Sequence, residues 1–301
     1  MNFCKYLDHA GLDVELKLVL CSLKDVSKKI AELIKTTETC KAGTKNIYGE
    51  EQLALDVLAD KLIQDELRAN PVVGLLASEE LPEEVKLPGD GAFAVCYDPL
   101  DGSSLVDVNL AVGSIFGIYR ADTFIGRKGD EMLASMITVY GPRTTIVLTF
   151  KKGVAEFCLN PDNKFILSKD NIRITNQKKM FAPGNLRACK NDQNYTDLMK
   201  YYLDEQYTLR YSGGMVPDIN QILLKGQGIF TYPGYADAPN GKLRLLFECA
   251  PMSLLVEQAG GKSTDGTSRI LDKEIQELSQ RTPIFIGAEE EVLIAEKFLK
   301  G

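Results

Sequence analysis

The apolar run Ala92-Phe93-Ala94-Val95-Cys96-Tyr97 stops abruptly at Asp98-Pro99-Leu100-Asp101-Gly102-Ser103-Ser104. A short run of this kind, closed by polar residues, predicts a buried strand, and a buried strand needs apolar layers packed on its sheet. Val72 to Ala77 is a second such run. Residues 14–36 supply a partner, because Leu16, Val19, Leu20, Leu23, Val26, Ile30, Leu33 and Ile34 recur at helical spacing. A further helix is predicted over about 50–68, with Leu53, Val57, Leu58, Leu62 and Leu67 on its apolar side. Segments 113–119, 144–150, 154–159 and 164–167 alternate like strands, so the first half reads as helices on a large sheet.

From about residue 170 the pattern changes to strands alternating with helices. Residues 194–203 and 216–225 are predicted helices, and 228–232 and 242–247 predicted strands. A last helix over 248–259 stops at Gly260-Gly261. The expected class is α/β, layered, in two subdomains: 1–174, carrying most acidic candidates, and 175–301.

Composition narrows the chemistry. With 45% hydrophobic and 26% charged residues, the chain can bury a sizeable core as a soluble protein. A net charge of −7, with no run of Lys or Arg, excludes tracking of a nucleic-acid backbone. His9 is the single histidine, which removes Ser-His and Cys-His mechanisms. The seven cysteines, Cys4, Cys21, Cys40, Cys96, Cys158, Cys189 and Cys249, are scattered with no C-x-x-C pair. They suggest neither a disulfide framework nor a zinc site, and a reducing compartment fits. No membrane span, signal peptide or Ser-Lys-Leu ending is read, so the expected location is the cytoplasm, with a plastid or peroxisome-like organelle left open.

Carboxylates gather where predicted strands end. Glu79-Glu80 follow the first run, Asp98 and Asp101 the second, and Glu248 closes 242–247. Converging carboxylates repel unless cations neutralise them, and hard oxygen donors without imidazole or thiolate point to Mg²⁺, with Mn²⁺ as the alternative. Pro99 constrains the turn and leaves the Leu100 carbonyl as a further oxygen ligand. Gly102-Ser103-Ser104 then offers small residues, hydroxyls and backbone N–H groups at a predicted helix start, suited to a phosphoryl group. Cations on one side of a phosphate and N–H donors on the other is the arrangement of metal-assisted in-line hydrolysis.

With these residues in view, Asp98–Ser104 resembles the metal-dependent phosphatase superfamily that includes inositol monophosphatase and fructose-1,6-bisphosphatase. Gly113–Arg120 and Lys242–Cys249 resemble the fructose-1,6-bisphosphatase family. Gly49–Asp56, Tyr140–Thr145, Pro183–Ala188 and Tyr207–Asp218 look closer to its sedoheptulose-1,7-bisphosphatase members. The resemblance covers the chain from about residue 14 and implies alternating α-β-α-β-α layers.

Carried over by position, it implies metal ligation by Glu79, Glu80, Asp98, the Leu100 carbonyl, Asp101 and Glu248. Asp56 and Glu80 would polarise the attacking water; Glu50 stands where the family usually has Asp. Gly102, Ser103 and Ser104, with Arg244, would hold the phosphate being cleaved. Tyr211, Met215, Tyr232 and Lys242 would line the sugar and distal phosphate, with Asn185 and Arg187 beside them. Arg210 would reach a neighbouring subunit's site, implying a homodimer, compatible with a tetramer. Lys242, Arg244 and Glu248 share parity on the predicted strand, which would put both cations on one face.

Three departures matter. Gly184-Asn185-Leu186-Arg187 replaces the Asn-Glu-Gly-Tyr segment of fructose-1,6-bisphosphatases, putting a forked cation where a tyrosine stands. Ala92-Phe93 replaces a Lys-Tyr pair that helps bind the inhibitor AMP, although Arg120 is kept, so AMP inhibition is not expected. Cys40 stands alone where plastid sedoheptulose enzymes pair cysteines, so thioredoxin control there is not expected. The sequence therefore predicts hydrolysis of the 1-phosphate of sedoheptulose 1,7-bisphosphate, with fructose 1,6-bisphosphate as the nearest alternative and a non-catalytic sugar-phosphate sensor as a remote one.

Overall fold

The computed structural model describes residues 1–36, 41–45, 51–175 and 179–300. Glu50 and Cys40, both singled out above, lie outside the described residues. The helices are α1 (Phe3–His9), α2 (Val14–Thr36), α3 (Ala54–Arg68), α4 (Gln193–Asp204), α5 (Met215–Lys225), α6 (Ala250–Gln258) and α7 (Glu289–Lys300). β1 (Lys41–Lys45) and β2 (Glu51–Leu53) form a two-stranded ribbon. β3 (Val73–Ser78), β4 (Val85–Lys86), β5 (Phe93–Asp101), β6 (Val112–Arg120), β7 (Ala134–Tyr140), β8 (Thr144–Thr149), β9 (Val154–Leu159) and β10 (Phe165–Lys169) form an eight-stranded sheet. Its order is β10-β9-β8-β7-β6-β5-β3-β4, with β3 and β5 parallel. β11 (Met180–Pro183), β12 (Thr208–Leu209), β13 (Ile229–Tyr232), β14 (Lys262–Thr264) and β15 (Ile284–Gly287) form a five-stranded sheet ordered β12-β11-β13-β15-β14.

The side-chain alternation of these strands builds the layers. On β5, Phe93, Val95 and Tyr97 join a core with α1, α2 and α3, while Ala94 and Cys96 face the other way, toward α5 and α6. On the smaller sheet, Phe230, Ile284 and Ile286 share that second core, whereas Phe181, Ile229 and Phe285 pack on α4 and α7. The result is α1–α3, large sheet, α5–α6, small sheet, α4 with α7: the expected α-β-α-β-α order. Both sheets bury one face against α5 and α6, so a single core joins them.

Local sequence explains how tightly these layers meet. α2 spans the predicted residues and buries Leu16, Val19, Leu20, Leu23, Val26 and Ile30. That burial favours docking by on the order of 10 kcal/mol before the cost of ordering the chain. Ser27 fixes its height on the sheet, its Oγ lying 2.8 Å from Thr138 Oγ1. Opposite, Gly117 is required by close approach: a Cβ there would sit 2.8 Å from Cys96 Sγ and 2.9 Å from Met132 Sδ.

Two expectations fail here. α3 buries Leu55, Asp56, Ala59, Asp60, Ile63 and Leu67, while Val57 and Leu58 face solvent. The helix is turned so that two aspartates point inward, a choice its apolar pattern hides. Residues 242–247 form no strand. Arg244 makes one isolated bridge to Arg281, and Leu245–Cys249 winds into a π-type turn entering α6, with Cys249 N donating to Arg244 O at 2.9 Å. The parity argument for Lys242 and Arg244 therefore does not hold.

Candidate active site

The acidic turn grows directly out of β5. Asp98 pairs with Ile115 and Asp101 with Gly113, so three steps on β5 match two on β6. That extra residue is a bulge, which re-aims the side chains. On a regular strand, residues three apart point to opposite faces; here Asp98 and Asp101 meet on one side. Ser114 Oγ donates to the Pro99 carbonyl at 2.7 Å and Leu100 N to Asp98 Oδ1 at 2.9 Å, which hold the bulge. Gly102 follows in the left-handed region at φ 75°, closing the turn into a short 3-10 segment, Ser103–Val108.

The π-type turn delivers the third carboxylate. Glu248 accepts a hydrogen bond from Arg244 N at 2.5 Å, which aims it back at the bulge. Oxygens of Asp98, Asp101 and Glu248 lie within 4.8 Å of one another, and all three residues are buried. Burial raises Asp98 well above the ordinary carboxylate range, and the charges of Glu79, Asp101 and Glu248 raise it further. Glu248 is raised well above its usual value by burial and then by Glu79. Asp101 is raised to about 6 by burial, although N–H donors from Val216 and Met215 oppose the shift. A buried, all-oxygen cluster whose members resist ionising together fits a hard divalent cation, with the Leu100 carbonyl beside it.

Around this cluster lies a cavity of about 270 Å³. Its walls include Asp56, Glu79, Glu80, Asp98, Leu100, Asp101, Gly102, Ser103, Ser104, Tyr211, Met215, Tyr232, Lys242 and Glu248. Asp56 comes from the first turn of α3, whose inward rotation buries it. The Glu79 N–H donates to the Tyr97 carbonyl at 3.1 Å, extending the β3–β5 pairing to the cavity rim.

A second cavity of about 370 Å³, lined by Asn185, Leu186, Arg187, Tyr235, Tyr211, Tyr232 and Lys242, shares the last three residues with the first. Asn185 adopts the left-handed conformation at φ 54°, and its Nδ2 donates to the Pro233 carbonyl at 3.3 Å. Gly184 is needed beside it, since a Cβ would meet the Tyr232 ring at 2.4 Å.

Two predicted residues stand elsewhere. Arg244 is 1% exposed and lines neither cavity; its Nε lies 3.6 Å from Glu79 Oε1, behind the carboxylates. Arg210 is exposed, outside both cavities, with its N–H donating to the Phe181 carbonyl at 2.9 Å. Conversely, Asp218 was not anticipated. Buried on α5, it accepts the Ser212 N–H at 3.0 and 3.2 Å and so fixes the 211–214 loop against the cavity. Its place within Tyr207–Asp218 was the available signal. Tyr235 was also missed, and no spacing pattern marks it.

Residues 5–170 match the profile described as fructose-1-6-bisphosphatase, N-terminal domain, and residues 174–300 match its C-terminal domain. The chain belongs to the fructose-1,6-bisphosphatase family. It is a phosphoric monoester hydrolase of the sugar bisphosphatase kind. A fructose-1,6-bisphosphatase class 1 of Trichlorobacter lovleyi is 46% identical, over 100% of this chain and 95% of its own. The chloroplastic sedoheptulose-1,7-bisphosphatase of Spinacia oleracea is 43% identical, over 99% of this chain and 77% of its own. Among solved structures, a putative sedoheptulose-1,7 bisphosphatase of Toxoplasma gondii superposes with TM-score 0.94 at 34% identity, covering 100% and 98% of the two chains. The Leishmania major fructose-1,6-bisphosphatase in holo form gives 0.93 at 33%, covering 100% and 99%. No described helix is long and apolar enough to cross a membrane.

Proposed function

We propose that the chain hydrolyses the 1-phosphate of fructose 1,6-bisphosphate, releasing inorganic phosphate by direct attack of water. The observation that carries this reading is the join between the two cavities: a carboxylate cluster at one end and Arg187 at the other, sharing Tyr211, Tyr232 and Lys242. A sugar with a phosphate at each end matches that charge pattern, the scissile phosphate at the acidic end and the distal one near Lys242 and Arg187. The name of the relative at 46% identity supports the six-carbon sugar.

When bound at Asp98, Asp101, Glu248, Glu79, Glu80 and the Leu100 carbonyl, Mg²⁺ would supply Lewis-acid polarisation of the phosphoryl oxygens and an acidified water. The protein's part is then positional. Asp56 and Glu80 stand at the cavity wall to take the water's proton. Backbone N–H groups of Gly102 and Ser103 hold the phosphoryl oxygens, while Tyr211, Met215 and Tyr232 confine the sugar. Arg244 is reassigned from substrate contact to a buried cation that steadies Glu79. Arg210, exposed beside Tyr211, supports a homodimer in which it contacts the partner's distal phosphate. Subdomain 1–174 would thus supply most of the cleavage site, completed by Glu248, and 175–301 most of the recognition.

One observation favours a second reading, sedoheptulose 1,7-bisphosphate: Arg187 extends the distal cavity with a forked cation that suits a longer sugar. The order expected from sequence is reversed here because the relatives' names favour the shorter substrate. Measuring kcat/KM for both bisphosphates decides between them. The proposal expects the six-carbon sugar to be turned over at least as well; a preference of tenfold or more for the seven-carbon sugar would reverse it.

A further inference from the structure

Two thiols remote from the carboxylates stand in contact. Cys4 lies in the first turn of α1 and Cys21 in α2, 17 positions later, with their sulfurs 3.1 Å apart. An S–S bond measures about 2.05 Å, so about 1 Å of approach separates this contact from a covalent link.

The pairing is imposed by the fold rather than by a passing rotamer. α1 is pinned at its start, where Asn2 accepts the Lys5 N–H at 2.9 Å and Leu167 N donates to Met1 O at 2.9 Å. Phe3 is buried with its ring 4.9 Å from that of Phe157, and Tyr6 donates to Asp170 at 2.8 Å. At its other end, Gly11 turns the chain at φ 63°, and Asp13 caps α2 through Leu16 N at 3.1 Å. α2 is itself buried along the large sheet. Both cysteines are therefore carried on anchored helices.

Their surroundings are unlike those of inert core thiols. Both are half-buried rather than sealed, and Lys24 Nζ lies 3.9 Å from Cys4 Sγ. Lys17, paired with Asp8, lies on the same side. An ammonium thus faces the sulfur that must bear negative charge during exchange. Burial, and then its hydrogen bond with Cys4, push the Cys21 thiol up to about 12. Because the Lys24 ammonium lies beside Cys4, Cys4 is placed to react first and Cys21 to resolve.

We propose that Cys4 and Cys21 form a reversible disulfide that staples α1 to α2, made by exchange with a small soluble disulfide such as oxidised glutathione. Cys4 loses its proton to solvent, and its thiolate attacks one sulfur of that disulfide. A mixed disulfide forms and one glutathione thiolate leaves. Cys21 then loses its proton, attacks Cys4 Sγ, and expels the second thiolate. The two protein thiols are oxidised, the small disulfide is reduced to two thiols, and the two protons released by the protein balance those taken up by the leaving thiolates. The bond lies where α1 packs on β10, at the far edge of the sheet from β3 and β4, so it should tighten the fold without altering the cavities.

The test uses the full chain with Mg²⁺, equilibrated in glutathione buffers of rising oxidised fraction. Non-reducing peptide mapping should find the Cys4 and Cys21 peptides joined, with neither thiol open to alkylation. A dithiol reductant should restore both. Melting temperature should rise on oxidation by about 5 °C or more, with kcat unchanged. Cys21→Ser should accumulate the glutathione adduct on Cys4. A persistent adduct on Cys4 of the unsubstituted chain, or both thiols still alkylated under oxidising buffer, would overturn the proposal. Because the map of the unsubstituted chain decides the matter, a poorly folding variant does not blunt the test.

Discussion

The two ends of the double cavity are built by different means. The acidic end is made of regular elements: a bulged central strand, a π-type turn, and the first turn of α3. Asp56, Asp98, Asp101 and Glu248 are buried, and backbone groups aim two of them, with Val216 N donating to Asp101 Oδ2 at 2.6 Å and Arg244 N to Glu248. The distal end rests on residues 184–187, which lead into a short 3-10 helix, Leu186–Lys190, and Arg187 and Lys242 are exposed. On the proposed reading, chemistry that needs fixed charge would sit on scaffold, and discrimination between sugars would sit where the chain can vary without disturbing the core.

The sharpest way to break this contrast is at Asp101. Asp101→Asn keeps the shape, removes one charge, and weakens the acceptor for Val216 N. It should lower kcat by about 10²–10³-fold, the loss usual when one group stabilising the transition state is removed. Unchanged turnover in a steady-state assay would mean that the acidic end is not the reacting end.

Next in size is the response to cation. Binding Mg²⁺ at about 100 times Kd should stabilise the folded chain by ~2.7 kcal/mol if only the native state binds it, measurable as a shift in thermal unfolding. That gain should depend on pH with a defined sign. Asp101, raised to about 6, and Asp98 and Glu248, both raised well above the ordinary carboxylate range, bind protons more tightly folded than unfolded. The contribution of Asp101 to metal-free stability is present at low pH and is lost as pH rises through about 6, and those of Asp98 and Glu248 are lost in the same direction. The Mg²⁺-induced shift should therefore be larger at about pH 7.5 than at about pH 5.5. A pH-independent shift would show that the cation binds elsewhere.

The distal end should respond more mildly and in a different parameter. Arg187→Ala should raise KM about tenfold with kcat little changed, as expected from losing one charge-assisted contact made equally in ground and transition states. A fall in kcat instead would mean that the two ends are not separable. Smallest of all, Tyr97→Phe removes the hydroxyl that donates to Asp60 Oδ1 at 2.8 Å behind the acidic end. It should cost about 1 kcal/mol in denaturant unfolding and leave kcat/KM unchanged.

The same division governs what the sequence made legible. Val14–Thr36 could be read because one apolar stripe dominates it, and Asp98–Ser104 because a buried strand ending in D-P-x-D-G-S-S has few other uses. The face of α3 was misread because Val57 and Leu58 are exposed apolar residues while Asp56 and Asp60 are buried polar ones. Those aspartates face inward to serve the site and Tyr97, a tertiary demand that overrides local pattern. Residues 242–247 were misread as a strand because their buried apolar part, Leu245–Phe247, is too short to carry a period that separates strand from helix-like turn. Arg244 moved from cavity to core with that error. β7, β11, β14 and β15 were not picked out: β7 is buried along its whole length and shows no alternation, and the other three are only three or four residues long and set by pairing with distant partners. The Cys4–Cys21 contact was invisible because nothing in a spacing of 17 says that two helices fold back on each other.

The most direct test of the whole account is phosphate release from fructose 1,6-bisphosphate, followed with and without a divalent-cation chelator. The account predicts one phosphate per sugar, fructose 6-phosphate as the product, and loss of turnover on chelation that added Mg²⁺ restores. Turnover that survives complete removal of divalent cations, or a product still phosphorylated at carbon 1, would contradict it.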